Sequence, residues 1–248
     1  MEKDPLITII TVSYNAAKVI DKTLSSLKNQ TYNEFEYLVI DGASKDDTLK
    51  IINRNEIKSS RIISEPDNGL YDAMNKGLKE AKGKYVLFLN AGDSFHTPGT
   101  LELYAKAARD GADIIYGDTV IVDNSGKKIA DRHLRVPENL TKESFSNGML
   151  ICHQAFMVKK DIAPAFDLSY RFSADYDWCV KCIKDSGPDK CVNLGCVTID
   201  YLSEGLTDKN KIKSLKERFS IMVKHYGLPK TLSRHFGFIF RALRRGRL

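Results

Sequence analysis

Three short polar groups punctuate the first hundred residues: Ser13-Tyr14-Asn15, Asp41-Gly42 and Asn90-Ala91-Gly92-Asp93. Each directly follows an apolar run, and their side chains suit the handling of a nucleotide. Asp41 can accept an N–H of a base, the ring of Tyr14 can stack on its face, and Asp93 can hold a divalent cation against phosphate oxygens. Taken singly, Asp, Asn and Gly after a strand are ordinary turn formers. The coincidence of all three favours a ligand site.

The elements that must position these groups follow from the hydrophobic pattern. Residues 7–12, 35–40, 61–64 and 85–89 read as strands, and residues 17–27, 46–53 and 70–81 as helices between them. Strand and helix alternate, the signature of an α/β domain with a parallel sheet. In such sheets ligands bind outside the carboxyl ends of the strands, where all three groups fall. Beyond Asp93 the pattern predicts a helix over 100–108 and a hairpin of 113–122 with 127–131 about a DNSG turn. A strand over 155–158 and helices over 174–184 and 209–225 follow. Tyr116-Gly117-Asp118 reads as a turn between strands, with closure of a sugar pocket as the alternative. At the helix opening near Asn68-Gly69-Leu70, Asp67 is expected to cap the N-terminus. Asn75 and Lys76 are site neighbours without an assigned role, and no role follows for Asp72.

Composition bounds the class. The chain has 248 residues, 42% of them hydrophobic and 28% charged, which excludes disordered and fibrous proteins. No apolar run approaches the roughly 18 residues of a membrane span. The opening MEKDPLITIITV lacks the basic and then apolar pattern of a signal peptide, so a cytoplasmic location is expected. Net charge is +6, yet residues 229–248 hold six bases and no acid while residues 1–228 balance. The basicity is local, which argues against a nucleic-acid-binding body. One domain over 1–226 is expected, with a nucleotide-binding half to about residue 95 and an acceptor half over 96–226. A basic amphipathic helix over 227–248 follows it, either lying on an anionic membrane surface or packed on protein. Five cysteines point to reduced thiols. Cys179, Cys182, Cys191 and Cys196 suggest zinc only weakly, because the second pair is spaced by four intervening residues, and buried thiols are the expectation.

The runs ITIITVSYNAAKVIDKTLSSLKNQTYNEFEYLVIDGASKDDT and SEPDNGLYDAMNKGLKEAKGKYVLFLNAGD resemble the nucleotide-binding half of family 2 glycosyltransferases, close to the branch of colanic-acid and other exopolysaccharide enzymes. The resemblance covers about residues 5–205. It implies a GT-A fold, a Rossmann-like, mostly parallel sheet flanked by helices. It implies inverting transfer of a sugar from a nucleotide-diphosphate donor, UDP-linked by expectation, to a hydroxyl of a growing surface glycan, which can be carried on a polyprenyl diphosphate. By position, Tyr14 would pack on the base with Ser13 beside it, and Asp41 would bond to it. The family's Asp-x-Asp-Asp segment falls on Asn90-Ala91-Gly92-Asp93, so Asp93 is left as the direct carboxylate ligand of Mg²⁺ or Mn²⁺, with Asn90 on the donor side. Asp175, in Phe172-Ser173-Ala174-Asp175-Tyr176-Asp177-Trp178, matches the acid that supplies the general base, while Ala174 stands where many relatives have Glu. His153-Gln154 matches a segment lining the acceptor side, and the neighbouring acid Asp177 is expected on that side as well. Ser203-Glu204-Gly205-Leu206-Thr207 occupies the place of a loop that folds over the donor. A sugar-phosphate nucleotidyltransferase is the competing enzyme, though it would carry a glycine-rich basic loop where SYNAAKV stands. A non-catalytic nucleotide-binding adaptor is the competitor from another class.

Overall fold

The computed structural model describes residues 4–203 and 211–244. Nine strands form one sheet in the order β3-β2-β1-β4-β8-β6-β9-β5, with β7 paired to β6. The strands are β1 (Ile7–Ser13), β2 (Phe35–Asp41), β3 (Ser60–Ser64), β4 (Tyr85–Phe88), β5 (Ser94–Phe95), β6 (Ile114–Val122), β7 (Lys128–Asp131), β8 (Phe156–Lys159) and β9 (Cys191–Leu202). The helices are α1 (Ile20–Lys28), α2 (Thr48–Asn55), α3 (Leu70–Glu80), α4 (Thr100–Arg109), α5 (Ala174–Asp185), α6 (Lys211–Tyr226) and α7 (Leu228–Arg244).

Strands β3, β2, β1 and β4 are all parallel, whereas β8 joins β4 and β6 in antiparallel sense and β9 runs parallel to β6. Within the parallel half β1, β2 and β4 are buried along their whole length, as their continuous apolar runs require, while the edge strand β3 is partly exposed. Alternate side chains of β1 and β2 feed two separate cores. Ile10, Val12, Leu38 and Ile40 pack with Met74 and Leu78 of α3 and Trp178 of α5. Ile7, Ile9, Tyr37 and Val39 pack with Ile20, Leu24 and Leu27 of α1 and Tyr104 of α4. Gly77 lets α3 lie close on the sheet, because a Cβ there would stand 2.6 Å from Ile10 Cγ2.

Tyr116-Gly117-Asp118 is not a turn. It lies inside β6, where the register against β9 shifts on both sides of Asp118. A Cβ on Gly117 would stand 2.4 Å from Thr198 Cγ2, so the glycine serves close strand approach. Asp67 does not cap α3 in the expected way. Gly69 is the N-cap, with φ of 118°, and Asp67 accepts its N–H at 2.8 Å. Asp72 reaches back from the first turn to accept the N–H of Asn68 at 2.9 Å. Asn75 exchanges two hydrogen bonds with the backbone of Phe166, and Lys76 binds the Pro66 carbonyl and Glu65. Cys179 and Cys182 are buried, and burial pushes both thiols well above their usual range. No cluster of three metal-ligating side chains occurs among the described residues.

Candidate active site

The ends of β1 and β2 are laced together. Ser13 pairs with Asp41 across the parallel ladder, and its hydroxyl donates to Asp41 Oδ1 at 3.1 Å. Ser44 donates its N–H and its hydroxyl to the same carboxylate at 2.9 and 2.5 Å, and Ser64 adds a hydroxyl at 2.8 Å. Asp41 is fully buried. Its oxygens are already occupied, so a base reaches it only by displacing one of these hydroxyls. Tyr14 is the opposite case, 64% exposed, with a free ring face. Asn15 and Ala43 both have positive φ, at 48° and 57°, and Asn15 and Ser44 tie the two loops together. Strain of this kind persists where the surroundings hold a loop in one shape.

The β4–β5 connection is fixed from α1. Thr23 donates its hydroxyl to the Asp93 carbonyl at 2.8 Å and accepts the Gly92 N–H at 2.9 Å. Gly92 has φ of 101°, a conformation that favours glycine over the family's acid. Asp93 is 4% exposed, and its Oδ1 accepts the Leu202 N–H at 2.9 Å. Burial pushes this carboxyl up to about 7, against the Leu202 N–H and the Lys22 charge, which pull it down. The Oδ1 of Asn90 is buried with no partner among the described residues. One carboxylate and one orphaned amide oxygen do not enclose an ion, but they fit a cation whose remaining ligands come from a diphosphate and water.

Lys22 was invisible as a site residue in the sequence, where it reads as a polar position on an amphipathic helix. In the structure its Nζ is buried with no acceptor among the described residues, beside Gly126 of the β6–β7 turn and within electrostatic reach of Asp93. Tyr71 was missed for the same reason, hidden in the apolar face of α3.

Asp175 opens α5, and the Tyr71 hydroxyl donates to its Oδ1 at 3.0 Å across a separation of 104 residues. Among the described residues nothing donates to its second oxygen. His153 is buried in an aromatic box, stacked on Phe88 at 5.0 Å and edge-on to Trp178 at 5.3 Å. Burial holds its imidazole down at about 4, so the ring is neutral, and its buried Nε2 has no partner among the described residues. Gln154 is buried and accepts the Cys152 thiol at 2.8 Å.

Asp177 faces elsewhere. It is fully buried and binds Lys181 at 2.6 Å, His225 at 2.7 Å and Lys224 at 3.6 Å, which clamps α5 to α6. Burial alone would raise its carboxyl, but the hydrogen bonds from His225 and Lys181 hold it down at about 2. The expected acceptor-side role of Asp177 therefore gives way to a structural one. In the expected donor-covering loop, Ser203 donates its N–H to the Val122 carbonyl, and residues 204–207 lie outside the described residues.

Comparison with known proteins identifies the family and the fold. Residues 8–164 match the family described as Glycosyl transferase family 2. The chain is 33% identical over 230 residues to a PGL/p-HBAD biosynthesis glycosyltransferase of Mycobacterium bovis, covering 85% of this chain and 84% of that one. It is 27% identical to the Escherichia coli UDP-Glc:alpha-D-GlcNAc-diphosphoundecaprenol beta-1,3-glucosyltransferase WfgD, covering 88% and 86%. Among solved structures, S. aureus TarS 1-349 superposes with a TM-score of 0.71 at 19% identity, covering 94% of this chain and 72% of that one. The glucosyl-3-phosphoglycerate synthase of Mycobacterium tuberculosis, solved with Mn²⁺, UDP and glucosyl-3-phosphoglycerate, gives 0.63 at 16% identity, covering 91% and 81%. The fold is that of the GT-A glycosyltransferases. With a family match over more than half its length and a relative one-third identical across most of both chains, this protein belongs to glycosyl transferase family 2.

Proposed function

We propose that this glycosyltransferase transfers a hexosyl group with inversion, from a UDP-sugar to a hydroxyl of a lipid-linked surface glycan. The observation that carries the reading is the hydrogen bond from Tyr71 of α3 to Asp175, which brings an acid of the second half to a helix of the nucleotide-binding half. The UDP-glucose and diphosphoundecaprenol acceptor in the name of the WfgD relative support the choice of donor and acceptor.

In this reading Tyr14 stacks on the uracil and the Ser13–Asp41–Ser44 network holds the loop that receives it. The diphosphate lies toward Asp93 and Asn90. A Mg²⁺ or Mn²⁺ ion held there by Asp93, Asn90, the diphosphate and water would offset the charge of the departing group. Lys22 supplies a fixed positive charge in the same neighbourhood. Asp175 accepts the acceptor's hydroxyl proton as that oxygen bonds to the anomeric carbon. The bond from that carbon to the diphosphate breaks on the opposite face, and its electron pair leaves with UDP. Tyr71 orients Asp175 by donating to one oxygen and leaves the other for the acceptor. The neutral His153 shapes the aromatic wall behind it. One displacement suffices, so no second catalytic carboxylate is required.

The test is a panel of nucleotide sugars with a polyprenyl-diphosphate-linked glycan acceptor, with and without Mn²⁺, followed by NMR of the product. The expected result is UDP release with a β-linked product from an α-linked donor, lost in EDTA. A retained α configuration, or pyrophosphate formation from UTP, would overturn the reading.

A further inference from the structure

The last two helices form a hairpin that is tied to the catalytic half and leaves an apolar strip uncovered. Thr231 is fully buried, His235 meets Phe219 of α6 and Phe238 edge-on, and Phe238 packs against the main core. Lys230 pairs with Glu143. Thr231, His235 and Phe238, spaced by four and three along α7, define the side that faces the body. A different side carries Leu228, Leu232 and Phe236 at successive intervals of four, and all three are exposed, Phe236 by 72%. On α6, Ile212 and Leu215 are exposed as well. Docking on the body and an outward apolar strip thus coexist in one helix.

Charge separates in the same place. Residues 211–248 hold eleven Lys and Arg and a single acid, whereas residues 1–210 hold 27 bases against 31 acids. The single acid is consumed internally, since Glu217 accepts the N–H groups of Arg171 and Phe172 at 2.9 and 2.8 Å. An apolar strip within a segment of such net positive charge, in which Lys224 and Lys230 pair with acids of the body, suits a surface that is apolar beneath and anionic above, and a symmetric contact between two copies would bring two strongly positive segments together. No helix among the described residues is long and apolar enough to cross a membrane.

We propose that the α6–α7 hairpin seats the enzyme on the headgroup layer of an anionic bilayer, with Leu228, Leu232 and Phe236 entering the acyl boundary. The placement has a consequence for the site. Ser214 of α6 hydrogen-bonds Ser173, two residues before Asp175, and the exposed Ile212 and Leu215 flank that contact. The mouth around Asp175 therefore lies beside the seated surface, where a lipid-linked hydroxyl would arrive. Only this last point rests on the proposed acceptor; the seating itself does not.

The test is flotation of the full chain with vesicles of phosphatidylcholine alone or mixed with phosphatidylglycerol, without donor or acceptor. The full chain is expected to float with the anionic vesicles, less so at high salt, and little with neutral ones. The Leu232→Ser/Phe236→Ser double variant should lower the bound fraction at least about tenfold with unchanged circular dichroism and melting. Arg234→Glu should weaken binding to anionic vesicles selectively. Equal flotation of wild type and double variant, or a lipid-free dimer that the double variant dissolves, would overturn the proposal. Failure of the glycosyl-transfer reading would leave the flotation result unchanged, so the two are separable.

Discussion

Lys22 is the residue whose chemistry is least explained by the fold alone. Its buried ammonium has no acceptor among the described residues, an arrangement that costs stability and that a bound anionic ligand would complete. Its position near Asp93 matches the loss of two acids from the Asn90-Ala91-Gly92-Asp93 segment, since a site with fewer carboxylates needs less metal charge and tolerates a fixed cation. Lys22→Met is expected to raise the melting temperature of the ligand-free protein while weakening UDP binding in EDTA by about tenfold, about 1.4 kcal/mol. Calorimetry and a thermal melt on the same preparation check this. Unchanged UDP affinity would remove Lys22 from the donor site. Asp93 and Asp41 were legible as candidates because acids after strand ends stand out. Their surroundings were not, since the three hydroxyls on Asp41 come from residues 13, 44 and 64 and meet only when the strands pair.

At the level of elements, Asp177 shows why two acids in one helix turn have different tasks. Positions two apart on a helix point to different sides, so Asp175 turns to Tyr71 and Asp177 to α6. The Asp177 carboxyl is held at about 2 in the folded protein, below its usual 3.8. A depressed carboxyl stabilises the fold fully above the unfolded value, and that stability is lost as pH falls from about 4 to about 2. Asp177→Asn should destabilise the protein by about 3 kcal/mol at neutral pH, remove this acid dependence, and leave UDP affinity unchanged. Urea unfolding at several pH values measures it, and an equal pH slope in both proteins would contradict the clamp.

The same scale shows where sequence reading succeeded. The alternating strands and helices of the first half were readable because continuous apolar strands and helices of period 3.6 leave distinct patterns. Strand β9 was not, because CVNLGCVTIDYL holds a glycine and is only half-buried along most of its length. Gly117 misled for a related reason. Its composition signals a turn, while its function is to admit Thr198.

For the whole molecule, the decisive event is the closure of the second half over the first. Asp175 meets Tyr71 across 104 residues, and the segment leading to it is held by Glu217 and Ser214 of α6. In the proposed reading the sheet presents a donor edge, α5 presents a base to it, and the basic hairpin sets the assembly against a lipid surface. Charge segregation between residues 1–210 and 211–248 was partly readable in the composition, but which helix side stays open depended on the packing of Thr231, His235 and Phe238. The central claim is that Asp175 takes the acceptor proton. Asp175→Asn keeps the shape and the Tyr71 contact but removes the proton acceptor. The direct measurement is the rate of sugar transfer by this variant alongside calorimetry of UDP binding. The account predicts a loss of about 10²–10⁴-fold in turnover with UDP affinity unchanged; near-normal turnover, or a loss that follows entirely from weakened UDP binding, would contradict it.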